Sequence, residues 1–466
     1  MTKNNIVLTV LTTLFLTACA TYDSPRYKES EKDPNDPYPA GKNIKQTFLL
    51  VGDGGIVKMG EMSDGITAFK NFVDTREQKG DYTLFLGDNI YPNGMPAKGD
   101  KEREISEYRL FVQYEGAKGN NGPVTYIPGN HDWYNHGLDG LKRQEDFLKD
   151  KIDYKDVFLP EDGCPLVSKE IGDDIQLIIV DTQWYLEDWN KGPKINDKCN
   201  IKTREKFFLE LEGELKKNQQ KTILLAMHHP MYTNGVHGGK FAISKHLFPG
   251  QRKIPVPIFA SLVTQVRTQG GVSKQDRYNE KYNELMRRIN VLIQDRRIIL
   301  ASGHEHNLQY IEHDDVKQIV SGSGSKISYA ELGGDGLFAY SGQGFAVLDI
   351  FDDDSAYVRY YGADANKEPE LLFTHKIYEP REIYDTSKIK TDYPATVKAS
   401  VYTFSETEKS DFFETVWGKH YRDIYGKKVT APVALLDTLY GGLEVVRPGG
   451  GHQTVSLRLR DKKGRD

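Results

Sequence analysis

The sequence predicts a layered α/β fold, and three observations carry that prediction. Short apolar runs recur at 48–51, 83–86, 124–127, 175–180, 222–227 and 298–301, each of strand length. Stretches of helical character, at 65–77 and 203–217, lie among them, the alternation from which layered α/β sheets are built. Most runs end in Gly, Pro or an abrupt polar residue, at the strand ends where such folds place their sites.

The chain has 466 residues, 38% hydrophobic and 28% charged, with a net charge of −5. That is enough for a sizeable core and more than one domain. Nothing in the overall charge points to nucleic acid.

Lys3 and the short apolar stretch 6–16 lead into Leu16-Thr17-Ala18-Cys19. This resembles the signal peptide of bacterial lipoproteins, over residues 1–19, in which the cysteine becomes the lipidated N-terminus. The run is too short to span a bilayer. Ala20 follows the cysteine, and no Asp stands there to signal inner-membrane retention, so an extracytoplasmic lipoprotein anchored in the outer membrane is expected. Cys164 and Cys199 remain. An oxidising compartment predicts that they form one disulfide, closing a loop of about 35 residues. Residues 20–45, with Pro25, Pro34, Pro37 and Pro39 among charges, read as a flexible tether.

From residue 46 the apolar runs deliver one polar motif after another. The run at 48–51 ends in Gly52-Asp53-Gly54-Gly55, and 83–86 ends in Gly87-Asp88-Asn89-Ile90-Tyr91. The run at 124–127 ends in Pro128-Gly129-Asn130-His131-Asp132, and 222–227 in His228-His229-Pro230. The run at 298–301 closes in Ser302-Gly303-His304-Glu305-His306. Two histidines at i and i+2 on extended backbone face the same side, and Gly303 allows the chain to approach whatever they bind.

Between Lys240 and Arg297 there are twelve Lys or Arg against four Asp or Glu. This basic insert, helical over 277–295, could steer an anionic substrate or meet lipid head groups; a solvated helical face explains it equally well. Strands are expected at 316–320, 345–351 and 357–361, with the Ser-Gly repeat 321–325 as a loop near the site. A C-terminal extension, 381–466, follows the main domain, 46–380. It carries Trp417, Tyr421, Tyr425 and glycine runs, and 454–460 alternates like one strand of a hairpin cut at its turn. The chain would then be part of a longer protein.

The candidate site residues are Asp53, Asp88, Tyr91, Asn130, His131, His228, His237, His304 and His306. Carboxylate, amide oxygen, phenolate and imidazole suit iron, zinc or manganese, and the absence of thiolate argues against structural zinc. There are more ligands than one ion needs, and a carboxylate is available to bridge, which predicts two metals. Each residue has a plainer reading. Asp53 and Asp88 could cap helices, Asn130 could sit in a turn and Tyr91 could simply pack. His136, His229, His246 and His313 are expected to support the site or lie on the surface. Asp132 and Glu305 are expected to orient neighbours.

Taken in order, these five motifs resemble those of the calcineurin-like metallophosphoesterases. Tyr91, three residues after Asp88, resembles the purple acid phosphatases in particular, with the compact tartrate-resistant type nearest. The resemblance spans roughly residues 46–350. It implies a β-sandwich flanked by helices, with Asp53, Tyr91 and His306 on ferric iron. Asn130, His228 and His304 would hold iron, zinc or manganese, and Asp88 would bridge the two ions. His228 fits the family's His-x-Pro spacing; His229 does not. His131 and His237 would face the phosphate and the leaving group of a small phosphorylated substrate. The implied function is acid phosphatase activity on phosphate monoesters. The rivals are a phosphodiesterase on the same scaffold and a surface binding or assembly module with a vestigial site. The stretch between His237 and Gly303 is longer than in compact members, as a lid or substrate filter would be. The tail resembles a segment of larger bacterial proteins in which a phosphatase domain precedes an outer-membrane β-barrel, an expected partner or continuation.

Overall fold

The computed structural model describes residues 24–28, 36–242, 245, 271–381, 442–446 and 456–460. The expected signal peptide with Cys19, residues 246–270 of the basic insert, His246, and the tail with Trp417, Tyr421 and Tyr425 lie outside them. The chain divides into two units, Met1–Arg381 and Glu382–Asp466.

In chain order the first unit contains β1 (Arg26–Tyr27), β2 (Ile44–Val51), α1 (Asp64–Thr75), β3 (Tyr82–Phe85), α2 (Arg103–Ala117), β4 (Val124–Tyr126), α3 (Asn130–Trp133) and α4 (Leu138–Lys151). Next come β5 (Leu166–Ile171), β6 (Ile175–Val180), α5 (Thr182–Leu186), α6 (Arg204–Lys217), β7 (Thr222–Met227), α7 (Glu280–Ile293) and β8 (Ile298–Ser302). The unit closes with β9 (Leu308–His313), β10 (Val316–Ser321), β11 (Gly336–Tyr340), β12 (Gly344–Phe351), β13 (Ala356–Ala363) and β14 (Pro369–Tyr378). One sheet has the order β1-β11-β9-β10-β8-β7-β6-β5 and the other β14-β13-β12-β2-β3-β4. The segments β2-β3-β4 and β6-β7-β8 are parallel.

Side-chain alternation assigns two cores. Phe48 and Leu50 join Leu177, Ile179, Leu224 and Ile299 of the other sheet. Leu49 and Val51, on the opposite face of the same strand, join Ile66, Phe69 and Val73 of α1. The layers are therefore helix, sheet, sheet, helix: the predicted α/β sandwich flanked by helices. The strands β6, β7 and β8 are buried along their whole length, which is why they read as continuous apolar runs.

The helices form where local chemistry allows. Ser63 caps α1 by accepting from Ile66 N, and Phe69 and Phe72 pack on Phe345 at 5.2 Å each. Each such buried ring contributes about 1.5–3 kcal/mol. Thr203 caps α6 and Asn279 caps α7, so α7 begins later than the expected 277. Helices α2 and α4 escaped the sequence reading because both are densely charged and each carries an internal glycine, Gly116 or Gly140.

Two expectations need correction. Within 20–45 the described residues are held on the domain. Arg26 and Tyr27 pair with β11, and Tyr38 donates to Asp349 Oδ2 at 2.9 Å while its ring packs 5.7 Å from Phe351. Aromatic burial overrides the prolines there. In the second unit β15 (Gly442–Val446) pairs antiparallel with β16 (Ser456–Arg460), so the strand expected at 454–460 finds its partner earlier in the chain. The Cys164–Cys199 disulfide is present, with the Cα atoms 5.4 Å apart.

Candidate metal centre

The loops carrying the candidate residues leave the carboxyl ends of the parallel strands. Asp53 follows β2, Asp88 and Tyr91 follow β3, and Asn130 and His131 open α3 after β4. His228 follows β7, and His304 and His306 follow β8. Asp53, Asp88, Tyr91, Asn130, His228 and His304 are all buried. Neither aspartate caps a helix. Asp53, Asp88 and His304 instead adopt positive φ, at 55°, 54° and 67°, conformations that cost about 1–3 kcal/mol each and cluster at functional sites. Gly303 permits the close approach, since a Cβ there would lie 2.7 Å from Asp53 Oδ2.

The side chains gather in two groups. Tyr91 donates its hydroxyl to Asp53 Oδ1 at 2.7 Å and stands 3.1 Å from His306 Nε2. Asn130 Oδ1 lies 3.1 Å from His228 Nε2 and 3.0 Å from His304 Nδ1. Asp88 adjoins both groups. Its ligand atom falls within 4.8 Å of those of Asp53 and His306, and its Oδ1 is 3.3 Å from His228 Nε2.

Outer contacts aim the ligand atoms inward. His228 Nδ1–H donates to Leu86 O at 2.8 Å, leaving Nε2 facing the site. His304 Nε2–H donates to Gln275 O at 2.8 Å, leaving Nδ1 facing it. Asn130 Nδ2 donates to Tyr134 Oη at 2.8 Å, which turns its carbonyl oxygen inward. Such bonds fix the tautomer and orientation of metal ligands.

Among the described residues the ion pairs of Asp53 and Asp88 are to imidazoles. Burial pushes Asp53 up to about 8. Burial also opposes the charge on Asp88, but His228 and His131 outweigh it and hold the carboxyl far below its usual range. Burial disfavours the His228 cation, yet Asp88 wins and raises it to about 9. Tyr91 is pushed well above its ordinary value, by burial first and then by Asp53 and Asp88. This is a buried, acidic nest of oxygen and nitrogen donors, and the residues present fit a hard or borderline cation.

The remaining predicted residues lie around the nest. His131 packs its ring 4.3 Å from that of Tyr91, and its Nδ1 bonds Pro92 O. His237 stacks 4.1 Å from His304. Asp132 accepts from Gly129, Asn89 and Ile90 backbone N–H groups, joining two motif loops. Glu305 accepts from Thr233 and from the His237 and Gly238 amides. His229 points away, to Thr182 and Gln275, and burial pushes it down to about 3. His136 is exposed and His313 pairs with Asp335.

Sequence reasoning missed three neighbours. Lys326 sets its ammonium 4.1 Å from the Tyr91 ring centroid; it immediately follows the Ser-Gly loop expected near the site, and that was the available signal. Gln275 and Asp276 come from the basic insert, where nothing in the sequence marks them.

Residues 46–259 match the calcineurin-like phosphoesterase family. The match spans β2 to beyond His237 and stops short of His304 and His306, which the fold brings in. Solved structures of similar fold include GAP50, the anchor in the inner membrane complex of Plasmodium, with 17% identity, a TM-score of 0.46, and 73% of this chain and 90% of that one covered. Another is the purple acid phosphatase PPD1 of yellow lupin, Lupinus luteus, with 16% identity, a TM-score of 0.46 and coverage of 78% and 58%. A third is PhoD, with 13% identity, a TM-score of 0.43 and coverage of 75% and 74%. No curated protein sequence matches the chain.

Proposed function

We propose that this protein hydrolyses phosphate monoesters at a two-metal centre of the purple acid phosphatase kind, nearest the tartrate-resistant type. The observation that carries the proposal is the division of seven oxygen and nitrogen ligands into two groups with Asp88 beside both. Asp53, Tyr91 and His306 would hold ferric iron, Asn130, His228 and His304 would hold iron, zinc or manganese, and Asp88 would serve both ions. When bound, such a pair supplies an acidified water as nucleophile and neutralises phosphate charge.

The chain's own residues do the rest. Pro92 O fixes the His131 ring, and its Nε2, 3.9 Å from Asp88 Oδ2, is left on the site side to meet a phosphate oxygen. His237, beside His304, would give a proton to the departing oxygen, a step worth roughly 10²–10⁴ in rate. The buried nest excludes bulk water and so strengthens these interactions.

The test compares turnover of 4-nitrophenyl phosphate with that of bis(4-nitrophenyl) phosphate in metal-analysed protein. Faster turnover of the monoester is expected. Preference for the bis-ester would indicate a diesterase, and no turnover of either by metal-replete protein would indicate a binding or assembly module. We further infer that lipid on Cys19 anchors the chain at the outer membrane; labelling of the wild type but not of Cys19→Ser by a palmitate analogue tests this.

A further inference from the structure

The basic insert returns to the site at Gln275-Asp276-Arg277, and this tripeptide grips three histidines. Gln275 O accepts from His304 Nε2, Gln275 Oε1 meets His229 Nε2 at 2.6 Å, and Asp276 Oδ1 meets His237 Nδ1 at 2.9 Å. Arg277 N–H donates to His237 O at 2.8 Å. The His237 turn is pinned from its other side by Glu305, which accepts from the His237 amide at 2.8 Å. Backbone and ring of His237 are thus held by two separate segments.

We propose that Asp276 is the positioning residue for His237: by accepting Nδ1–H it sets the ring's orientation and tautomer and leaves Nε2 toward the substrate. Asp276 is buried, so the carboxylate does not exchange this bond for water. Among the described residues no hydrogen bond from His237 Nε2 competes for that nitrogen. The ring packs against His304 at 33° between planes and stands 6.4 Å from the ring of His306, at the junction of both ligand groups.

The role rests on the monoesterase reading. The nucleophile's oxygen forms the new bond to phosphorus, and the bond from phosphorus to the ester oxygen breaks with its electron pair left on that oxygen. The Nε2–H proton of His237 moves there, an alcohol departs, and the ring keeps donating Nδ1–H to Asp276. A leaving group that departs readily as an anion has little need of that proton.

The test uses full-length, metal-loaded protein with Asp276→Asn, Asp276→Ala and His237→Gln. With glycerol 2-phosphate, kcat should fall about 100-fold in each variant, within the usual range for a proton-transfer group. With 4-nitrophenyl phosphate it should fall less than about threefold, with KM little changed. The double variant Asp276→Asn with His237→Gln should be no slower than His237→Gln alone. Equal losses on both esters, or additive losses in the double variant, would overturn the proposal. A crystal structure of Asp276→Ala gives a readout independent of turnover. The His237 ring should leave its stack on His304, and a ring that keeps its place there would overturn the proposal. Should the wild type cleave no ester, the functional reading fails, and the ring position still decides the positioning claim.

Discussion

Tyr91 and Asp53, 38 positions apart, share a proton across 2.7 Å at the ends of adjacent strands. Burial and two carboxylates keep the phenol neutral on its own. Only a strongly charged cation placed among them would make phenolate the favoured form. In the proposed centre that cation would be ferric iron.

Tyr91→Phe keeps the buried ring and removes the oxygen. The wild-type protein as isolated should absorb in the visible by phenolate-to-iron charge transfer. The variant should lose that band and part of its iron while its circular dichroism spectrum is unchanged. A band that survives in the variant would show that another residue carries it.

Lys326 lies over the Tyr91 ring. Burial lowers its pKa while Asp53 and Asp88 oppose the shift. Its ammonium is placed to pair with an anion that the two carboxylates alone would repel. Lys326→Met should raise the inhibition constant of inorganic phosphate about tenfold, equivalent to about 1.4 kcal/mol. An unchanged constant would restrict Lys326 to packing on the ring.

The legible part of the site was the part written at strand ends. Asp53, Asp88, Asn130, His228 and His304 each follow an apolar run closely, so strand position and residue type together located them. The fold class was legible for the same reason, because buried parallel strands carry no polar face to blur the pattern. Lys326 and Asp276 were not legible. They reach the centre on loops whose paths depend on tertiary packing, and a lysine or aspartate in a loop is commonplace. The anchoring of residues 26–27 and 38 was hidden by composition, since prolines and charges signal an extended chain whether or not its aromatic rings find a surface.

The Cys164–Cys199 bond closes a separation of 35 residues, which the chain-entropy account values at ~4 kcal/mol. Replacing both cysteines with serine should lower Tm by several degrees and leave metal content unaltered. Mass spectrometry of unreduced peptides should recover the linked pair; free thiols at both positions would contradict the assignment.

Away from the centre, burial pushes Glu312 up, but His375, Lys317 and Tyr310 together outweigh it and hold the carboxyl at about 2. That lies below its ordinary value of 4.5, so the folded state binds fewer protons than the unfolded state between these values. The stabilisation is present above about pH 4.5 and is lost as pH falls through 2. Glu312→Gln should melt below the wild type at pH 6, and the difference should shrink between pH 4.5 and 2. A gap that stays constant over that range would remove Glu312 from the acid response.

Asp88 stands between two ligand groups, and a metal titration of turnover tests most directly whether it serves two ions. Metal-free protein is loaded stepwise while bound metal per chain and 4-nitrophenyl phosphate hydrolysis are followed together. The expected result is activity that saturates at two ions per chain in the wild type, with Asp88→Ala failing to retain the pair and showing no turnover, because two cations at close range repel without the carboxylate between them. Full activity at one ion per chain, or an active Asp88→Ala protein, would contradict the two-metal centre.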